Sequence, residues 1–467
     1  MEDVRMVENN KKDRGRSCAG FCKMLDDKDL ARGIFKRIFL ISFVFRIYYS
    51  LFAAYNISPH DLGPISLEDW TSGTLGHLSY VQIICENLGL PTFMNGQLYH
   101  PPLYHILASL IYGPIYAISH NVILSFEPVQ TIYLCCSGLI AVFCFRILEE
   151  LDVKGIRLIV STIFFAFMPL LINMGAALNN DCLMNLFSVI SLYHCLKWRK
   201  DHSWKRIMLC AVFLVLAMLT KTSGVFISAG LGAIFACAFF KSLKDKDGQW
   251  KKLIKQYVVF ALFSIPLGLS WLIYMKIRYG LPFNYVHPLP EHSTLLITKP
   301  FIEMIGLAPL VHFTSWNIGV EEPKTFYNIW GCFLQSAVYD EGITNAGYMP
   351  MRIVAAVMVC LFTIIMIIMT VDFVRMLISR TTALDIKLCL GLLYITMFIS
   401  YVSFCYSYPY TCTMSARYVF PVFIPLVASY GMMPRTKKGI AEVVTGSLIT
   451  IFSVLTIVLN FLPYELI

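Results

Sequence analysis

The chain is divided into apolar runs long enough to cross a membrane, and no other feature limits its fold as much. A helix of about 20 residues spans the ~30 Å hydrocarbon core of a bilayer. Eleven segments approach or reach that length: 35–54, 128–148, 157–176, 182–197, 206–220, 222–240, 256–275, 352–374, 387–406, 418–433 and 440–462. Backbone in hydrocarbon must satisfy its own hydrogen bonds, which helices do within one segment. The expected fold class is therefore all-α: a polytopic membrane protein with about eleven transmembrane helices plus juxtamembrane helices on the outer face. Composition agrees, with 57% hydrophobic and 14% charged residues, against roughly 25% charged in soluble domains. That excludes a water-soluble enzyme, a disordered chain and, despite the net charge of +9, a nucleic-acid binder. The 15 cysteines are scattered through apolar runs without metal-ligand spacing and read as small hydrophobes.

Basic residues orient the spans. Most of the 38 Lys and Arg residues lie in the tail (Lys11, Lys12, Arg14, Arg16, Lys36, Arg37), the turn at Lys154 and Arg157, and the loops Lys197–Arg206, Lys241–Lys255, Arg375–Lys387 and Arg435–Lys438. With eleven crossings and a cytoplasmic N-terminus, all of these fall on the cytoplasmic side. The stretch Asn56–Gln130 holds no Lys or Arg and falls outside. Leu103–Ile118 is also apolar, but counting it as a crossing would put the Lys197 and Lys241 clusters outside. It is therefore expected to be an interfacial or re-entrant helix, with Pro101-Pro102 at its start.

The expected organisation is a basic cytoplasmic tail, 1–34, and one membrane domain, 35–467. The tail, with no small-residue cleavage site after Ala54, argues against a cleaved signal peptide. A first outer loop, 56–130, includes an amphipathic helix at Gly76–Leu88 suited to a membrane surface. A second outer loop, 276–350, is expected to form short helices dipping into the bilayer face.

Polar residues beside apolar spans are costly and usually serve a site. Here they gather at the outer ends: His60-Asp61, His77, His100 in Tyr99-His100-Pro101-Pro102, Asn179-Asn180-Asp181, Lys221, Arg278, Asp340-Glu341 and Arg417. Each has a plain alternative: Asp61 as a turn residue, Asn179–Asp181 as a helix cap, Lys221 as a snorkelling side chain. Arg46, inside the first span, can serve packing. His60, His77 and His100 invite a divalent-metal site, but no short ligand spacing supports one, and no cofactor is assigned.

The order of these elements resembles a known family. His60-Asp61-Leu-Gly and Gly76-His77-Leu-Ser-Tyr80 are followed by Tyr99-His100-Pro101-Pro102-Leu103-Tyr104, Ala177-Leu178-Asn179-Asn180-Asp181, Leu219-Thr220-Lys221 and Ala416-Arg417-Tyr418. Across about 35–425 the chain resembles the GT-C superfamily of polytopic glycosyltransferases. The likeness is to family 39, the relatives of protein O-mannosyltransferases and the aminoarabinose–lipid A transferase. The resemblance implies a glycosyltransferase of a bacterial plasma membrane. It would move a sugar from a polyprenyl-phosphate-linked donor to a lipid, glycan or protein acceptor on the extracytoplasmic face, with inversion. The family's catalytic base is an acidic residue behind the first span, which matches Asp61. Glu68 and Asp69 follow it, and Asp69 is the alternative base. Donor and acceptor binding falls to His60, His77, His100, Asn180, Asp181, Lys221, Arg278, Glu341 and Arg417, which can hold hydroxyls or stabilise the departing phosphate. Membrane lipids are the remaining partners. A transporter or flippase of lipid-linked sugars and a non-catalytic assembly subunit are the competing readings.

Overall fold

The computed structural model describes residues 27–52, 75–288, 293, 295–307, 327–339, 349–434 and 440–461. The tail 1–26, His60, Asp61, Glu68, Asp69, Asp340 and Glu341 lie outside the described residues. In chain order the helices are α1 Lys28–Phe52, α2 His77–Asn87, α3 Leu103–Ser119, α4 Val122–Phe126, α5 Gln130–Glu150 and α6 Gly155–Ala166. They continue as α7 Pro169–Asn173, α8 Asp181–Asp201, α9 Trp204–Thr220, α10 Ser228–Asp245, α11 Trp250–Tyr279 and α12 Phe301–Ile305. The last five are α13 Ile329–Tyr339, α14 Met349–Ile378, α15 Leu384–Ser407, α16 Phe423–Met432 and α17 Ile440–Phe461. Extended pairing among the described residues amounts to one isolated bridge, Leu296 to Tyr410. The all-α expectation holds.

Seven stretches among the described residues are long and apolar enough to cross a bilayer: Val122–Glu150, Thr222–Asp245, Trp250–Tyr279, Ile353–Ile378, Leu384–Ser407, Thr411–Met432 and Ala441–Asn460. The chain is an integral membrane protein. The other four expected spans fall on α1, which carries Lys36, Arg37 and Arg46, on the short α6 with α7, and on α8 and α9. Those helices owe less to apolar composition than to packing, α8 against α9 and α5 above all. Large apolar side chains stay exposed on α11 (Leu262, Ile265), α14 (Ile364, Ile367) and α15 (Ile395, Ile399), as a lipid-facing surface requires.

Ion pairs fix which helix ends lie together. Arg32 at the start of α1 meets Glu149 at the end of α5 at 2.9 Å. Lys197 and Lys200, at the end of α8, hold Glu150 at 2.5 and 3.1 Å, and Arg199 binds Asp385 at the start of α15. Arg157, in the first turn of α6, pairs with Glu442 of α17 at 2.8 Å and lies 3.9 Å from Asp372 of α14. Among the described residues, Arg32, Arg157 and the Lys197–Lys200 cluster thus collect at one end of the bundle. The first residue of α8 and the last of α9 lie at the other.

Arg46 spends its charge inside the bundle, with Nε donating to Ser137 Oγ at 2.8 Å and Nη1 to the Ala166 carbonyl at 2.6 Å. Its packing role is the one realised. One piece of the segments expected outside differs from expectation. The α2 helix does not lie on a surface, because His77 through Ile83 are all buried. Its polar residues His77, Ser79 and Gln82 point into protein rather than water, which a period of 3–4 residues cannot distinguish. In the second segment α13 is an eleven-residue helix buried over nearly its whole length, too short to signal itself as a span. Cys405 and Cys412 are not joined in a disulfide.

Candidate active site

At the end of the bundle away from the basic clusters, one carboxylate holds two cations. Lys221 Nζ lies 2.5 Å from Asp181 Oδ1, and Arg417 Nε lies 3.6 Å from Asp181 Oδ2. The three side chains are 12%, 2% and 1% exposed for Lys221, Asp181 and Arg417. Both cations also lie over the ring of Tyr418, at 4.6 Å for Lys221 and 4.8 Å for Arg417, and Arg417 Nη2 donates to the Tyr418 hydroxyl at 2.7 Å. Residues spaced 40 and 236 positions from Asp181 in sequence meet at it.

Local structure explains each placement. Asp181 begins α8, where the helix dipole favours a negative charge. Asn179 Oδ1 accepts from the Asp181 N–H at 2.9 Å, and Asn180 Nδ2 donates to the Thr220 carbonyl at 3.2 Å. Helix α9 then stops because Lys221 is extended, with φ −155° and ψ 136°, and a 3₁₀ turn, Thr222–Ile227, restarts the chain. Gly224 makes that reversal possible: a Cβ there would sit 2.7 Å from the Ala217 carbonyl carbon. Arg417 is delivered by a 3₁₀ segment, Ala416–Val422, whose entry is fixed by Ser336 Oγ accepting from the Ala416 N–H at 2.8 Å.

A second cluster, of imidazoles, adjoins the first. His77 Nδ1 lies 2.9 Å from His105 Nε2. The His77 ring stacks near His100 at 5.6 Å, and Tyr80 stacks on His105 at 3.9 Å. Burial pushes the His77 pKa down to about 3, with the Lys221 charge a smaller cause in the same direction. Burial likewise holds His100 well below the usual histidine range, followed by Lys221, His77 and His105. Both imidazoles are therefore neutral at physiological pH, and the Lys221 charge acts on both. The turn bearing His100 is held by Trp271 Nε1 donating to the Tyr99 carbonyl at 2.8 Å and by Gln97 N–H donating to Leu75 at 2.8 Å. Gly96, at φ +50°, lies under Leu75, whose carbonyl oxygen would be 1.9 Å from an added Cβ.

Of the residues expected from sequence, the structure gathers His77, His100, Asn180, Asp181, Lys221 and Arg417. Arg278 is exposed in the last turn of α11 beside Tyr279 and joins neither cluster. His60, Asp61, Asp69 and Glu341 fall outside the described residues. From sequence His105 closes the polar stretch Tyr99–His105 but is given no site role, although its place two residues into α3, after Pro101-Pro102, marks a helix start. Among the described residues no group of three or more His, Cys, Asp or Glu side chains is arranged to hold a metal ion.

Residues 100–271 match the family model of dolichyl-phosphate-mannose-protein mannosyltransferase. His100, His105, Asn180, Asp181 and Lys221 lie within the mannosyltransferase match, and His77 and Arg417 outside it. Over these residues the resemblance to protein O-mannosyltransferases is borne out by this match. Among solved structures the chain is similar to the oligosaccharyltransferase of Archaeoglobus fulgidus tethered with an acceptor peptide, at 12% identity and TM-score 0.48, covering 92% of this chain and 55% of that one. The same organism's oligosaccharyltransferase AglB, in complex with an inhibitory peptide and a dolichol-phosphate, is similar at 12% identity and TM-score 0.46, covering 91% and 55%. ArnT from Cupriavidus metallidurans in the apo state is similar at 13% identity and TM-score 0.37, covering 90% and 77%. The chain spans about half the length of the oligosaccharyltransferase it matches. No curated protein matches it in sequence at a significant level.

Proposed function

We propose that this protein is a glycosyltransferase that moves a sugar from a polyprenyl-phosphate-linked donor to an acceptor hydroxyl on the extracytoplasmic face of the membrane, with inversion. The observation that carries the reading is the pair of buried cations on Asp181 beside neutral His77 and His100. In the reaction the acceptor oxygen bonds to the anomeric carbon while the bond from that carbon to the phosphate oxygen breaks. The electron pair leaves on the phosphate, and Lys221 and Arg417 stabilise the growing charge. The acceptor's proton passes to a carboxylate, assigned to Asp61 with Asp69 as the alternative. One base suffices for direct inversion. The acceptor is a lipid, glycan or protein.

The orientation follows from the charges: the basic ends of the bundle on the cytoplasmic side, with the N-terminus, and the Asp181 end outside, in a bacterial plasma membrane. The outer loops and spans form one membrane domain, with 56–130 and 276–350 outside. A transporter would favour polar groups near the bilayer midplane, whereas the described cluster lies at one end and Arg46 is held by packing contacts.

The test is sugar transfer by purified protein from a radiolabelled polyprenyl-phosphate sugar. Asp61→Asn is expected to keep its melting temperature and lose transfer, while Asp69→Asn keeps it. Lys221→Met and Arg417→Met are expected to slow transfer at saturating acceptor. Full transfer by Asp61→Asn removes it as the base, and full transfer by both cation variants ends the phosphate assignment.

A further inference from the structure

Six lysines stand exposed around the short turn that joins two long apolar helices: Lys241, Lys244, Lys246, Lys251, Lys252 and Lys255. Helix α10 ends at Asp245 and α11 begins at Trp250, and both belong to stretches apolar enough to cross a bilayer. The turn between them is well held. Asp247 Oδ1 accepts from Ser242 Oγ at 2.5 Å and from the Gln249 N–H at 2.9 Å, which closes it. Trp198 Nε1 donates to Gln256 Oε1 at 3.0 Å, and Gln256 Nε2 donates to the His202 carbonyl at 2.9 Å, so the start of α11 is tied to the end of α8. At that end Lys197 and Lys200 hold Glu150, and Arg199 holds Asp385. The six hairpin lysines pair with no carboxylate among the described residues. Set against Asp245 and Asp247, the two acids of the segment, six lysines leave 241–255 with a net charge of +4.

What lies beside the lysines says what would cover them. Lys251, Lys255, Val258, Leu262 and Ile265 follow one another at steps of four and three residues, so they share one face of α11. Val258, Leu262 and Ile265 are all exposed, and an exposed apolar wall on a membrane-crossing helix faces lipid tails. Lysine crowns that wall. On α10 the exposed Phe240 and Lys244, four residues apart, repeat the arrangement. Helix α11 also opens with Lys251 and Lys252 and no acidic residue in its first turn, the unfavourable sign for a helix N-terminus. A small anion would answer the lysines and leave the wall uncovered, whereas a zwitterionic lipid would cover the wall and bring no net charge. We infer that this hairpin is a binding surface for phospholipids with an anionic headgroup, the headgroup among the lysines and an acyl chain along the Val258–Ile265 face. Charge in the first layer of lipid thus anchors the α10–α11 end of the bundle. The inference is independent of the transferase reading.

The experiment is native mass spectrometry of the full chain from mixed micelles holding equal amounts of phosphatidylglycerol and phosphatidylcholine with the same acyl chains. Each lysine beside an anionic lipid is worth about fivefold in binding. The wild-type chain is therefore expected to retain phosphatidylglycerol over phosphatidylcholine by about tenfold or more. Lys251→Gln/Lys252→Gln/Lys255→Gln should lose most of that preference, and Lys251→Arg/Lys252→Arg/Lys255→Arg should keep it. Lys36→Gln/Lys154→Gln/Arg380→Gln removes the same charge from exposed positions elsewhere and should leave it unchanged. Inorganic phosphate in molar excess should not displace the lipid. Equal retention of the two lipids by the wild-type chain overturns the proposal with no variant involved. So does a preference that survives the glutamine variant of the hairpin, or one that falls equally in the distant triple variant. Displacement by phosphate overturns it too, since the surface would then take free anions.

Discussion

Replacing Asp181 by Asn keeps its shape and removes its charge, so it isolates what the carboxylate does for its two cations. At 2.5 and 3.6 Å, with an effective dielectric of 20, the Coulomb attractions are about 7 and 5 kcal/mol. Most of this offsets the several kcal/mol lost in desolvating each ion, and breaking a buried pair by removing one partner costs about 3–5 kcal/mol. The low end applies here. Lys221 keeps 12% exposure, and both cations retain the face of Tyr418. At about 2.1 cal/mol/K per residue, unfolding of the whole chain has an entropy of about 1 kcal/mol/K, so 3 kcal/mol lowers Tm by about 3 °C. That is a lower bound, because helices in a micelle keep their backbone hydrogen bonds and unfold with less entropy. Intrinsic tryptophan fluorescence during heating measures it. Lys221→Met in the Asp181→Asn background is expected to cost less than in the wild-type chain, with a coupling of about 1–3 kcal/mol. An unchanged Tm in Asp181→Asn, or strictly additive variants, refutes the picture of a carboxylate binding two buried cations.

Acidification is expected to destabilise the protein. The folded pKa values of His77 and His100 lie below the unfolded value of about 6.5, so the unfolded chain binds more protons, and stability present above pH 6.5 is lost as pH falls toward about 3. Each histidine contributes a slope of up to about 1.4 kcal/mol per pH unit. Tm measured from pH 7 to 5 should fall less steeply in His77→Gln than in the wild-type chain. Gly96→Ala adds a Cβ 1.9 Å from a backbone oxygen at a positive φ. It should cost more than the 1–2 kcal/mol of left-handed strain alone, read as lower Tm, whereas a silent variant would mean the turn before His100 is loose. Glu442→Gln removes the nearer of the two carboxylates at Arg157, a pair whose side chains are both 4% exposed, and should cost about 3 kcal/mol, the low end for a broken buried pair because Asp372 remains. Its transfer rate at moderate temperature should stay unchanged, since the pair lies at the opposite end of the bundle.

How much was legible in the sequence depended on whether a residue's partner is dictated by membrane physics. The clusters at Lys197–Lys200 and Arg157 could be read as one-sided because lipid forces charge to the ends of helices. The structure seats them on Glu150, Asp385 and Glu442. The same constraint made Asp181, Lys221 and Arg417 visible as a set. By contrast, nothing in a spacing of 28 residues says that His77 and His105 share a proton. The polar face of α2 was misread for a related reason. Periodicity reports that a helix has two faces, and not whether water or other protein covers the polar one. Arg278 was singled out by its level in the membrane, yet level alone does not turn a side chain inward.

On the transferase reading the two clusters at the Asp181 end divide the chemistry between them, and burial is what makes the division possible. A histidine exposed to water near pH 6.5 would be partly charged and would add a further cation beside Lys221. Burial of His77 and His100 removes that charge, and the ammonium nearby reinforces the effect. The site therefore offers fixed positive charge at Lys221 and Arg417 and, beside it, uncharged nitrogen. A ligand joining an anionic phosphate to a hydroxyl-rich group fits both halves, while a simple anion fits only the first. On the transferase reading, carrier lipid without sugar is expected to bind through the cations alone. Its affinity should fall in Lys221→Met and stay unchanged in His77→Gln, whereas the sugar-bearing lipid should lose affinity in both. Equal losses for the two lipids in His77→Gln would mean that the imidazoles serve the fold and not the sugar.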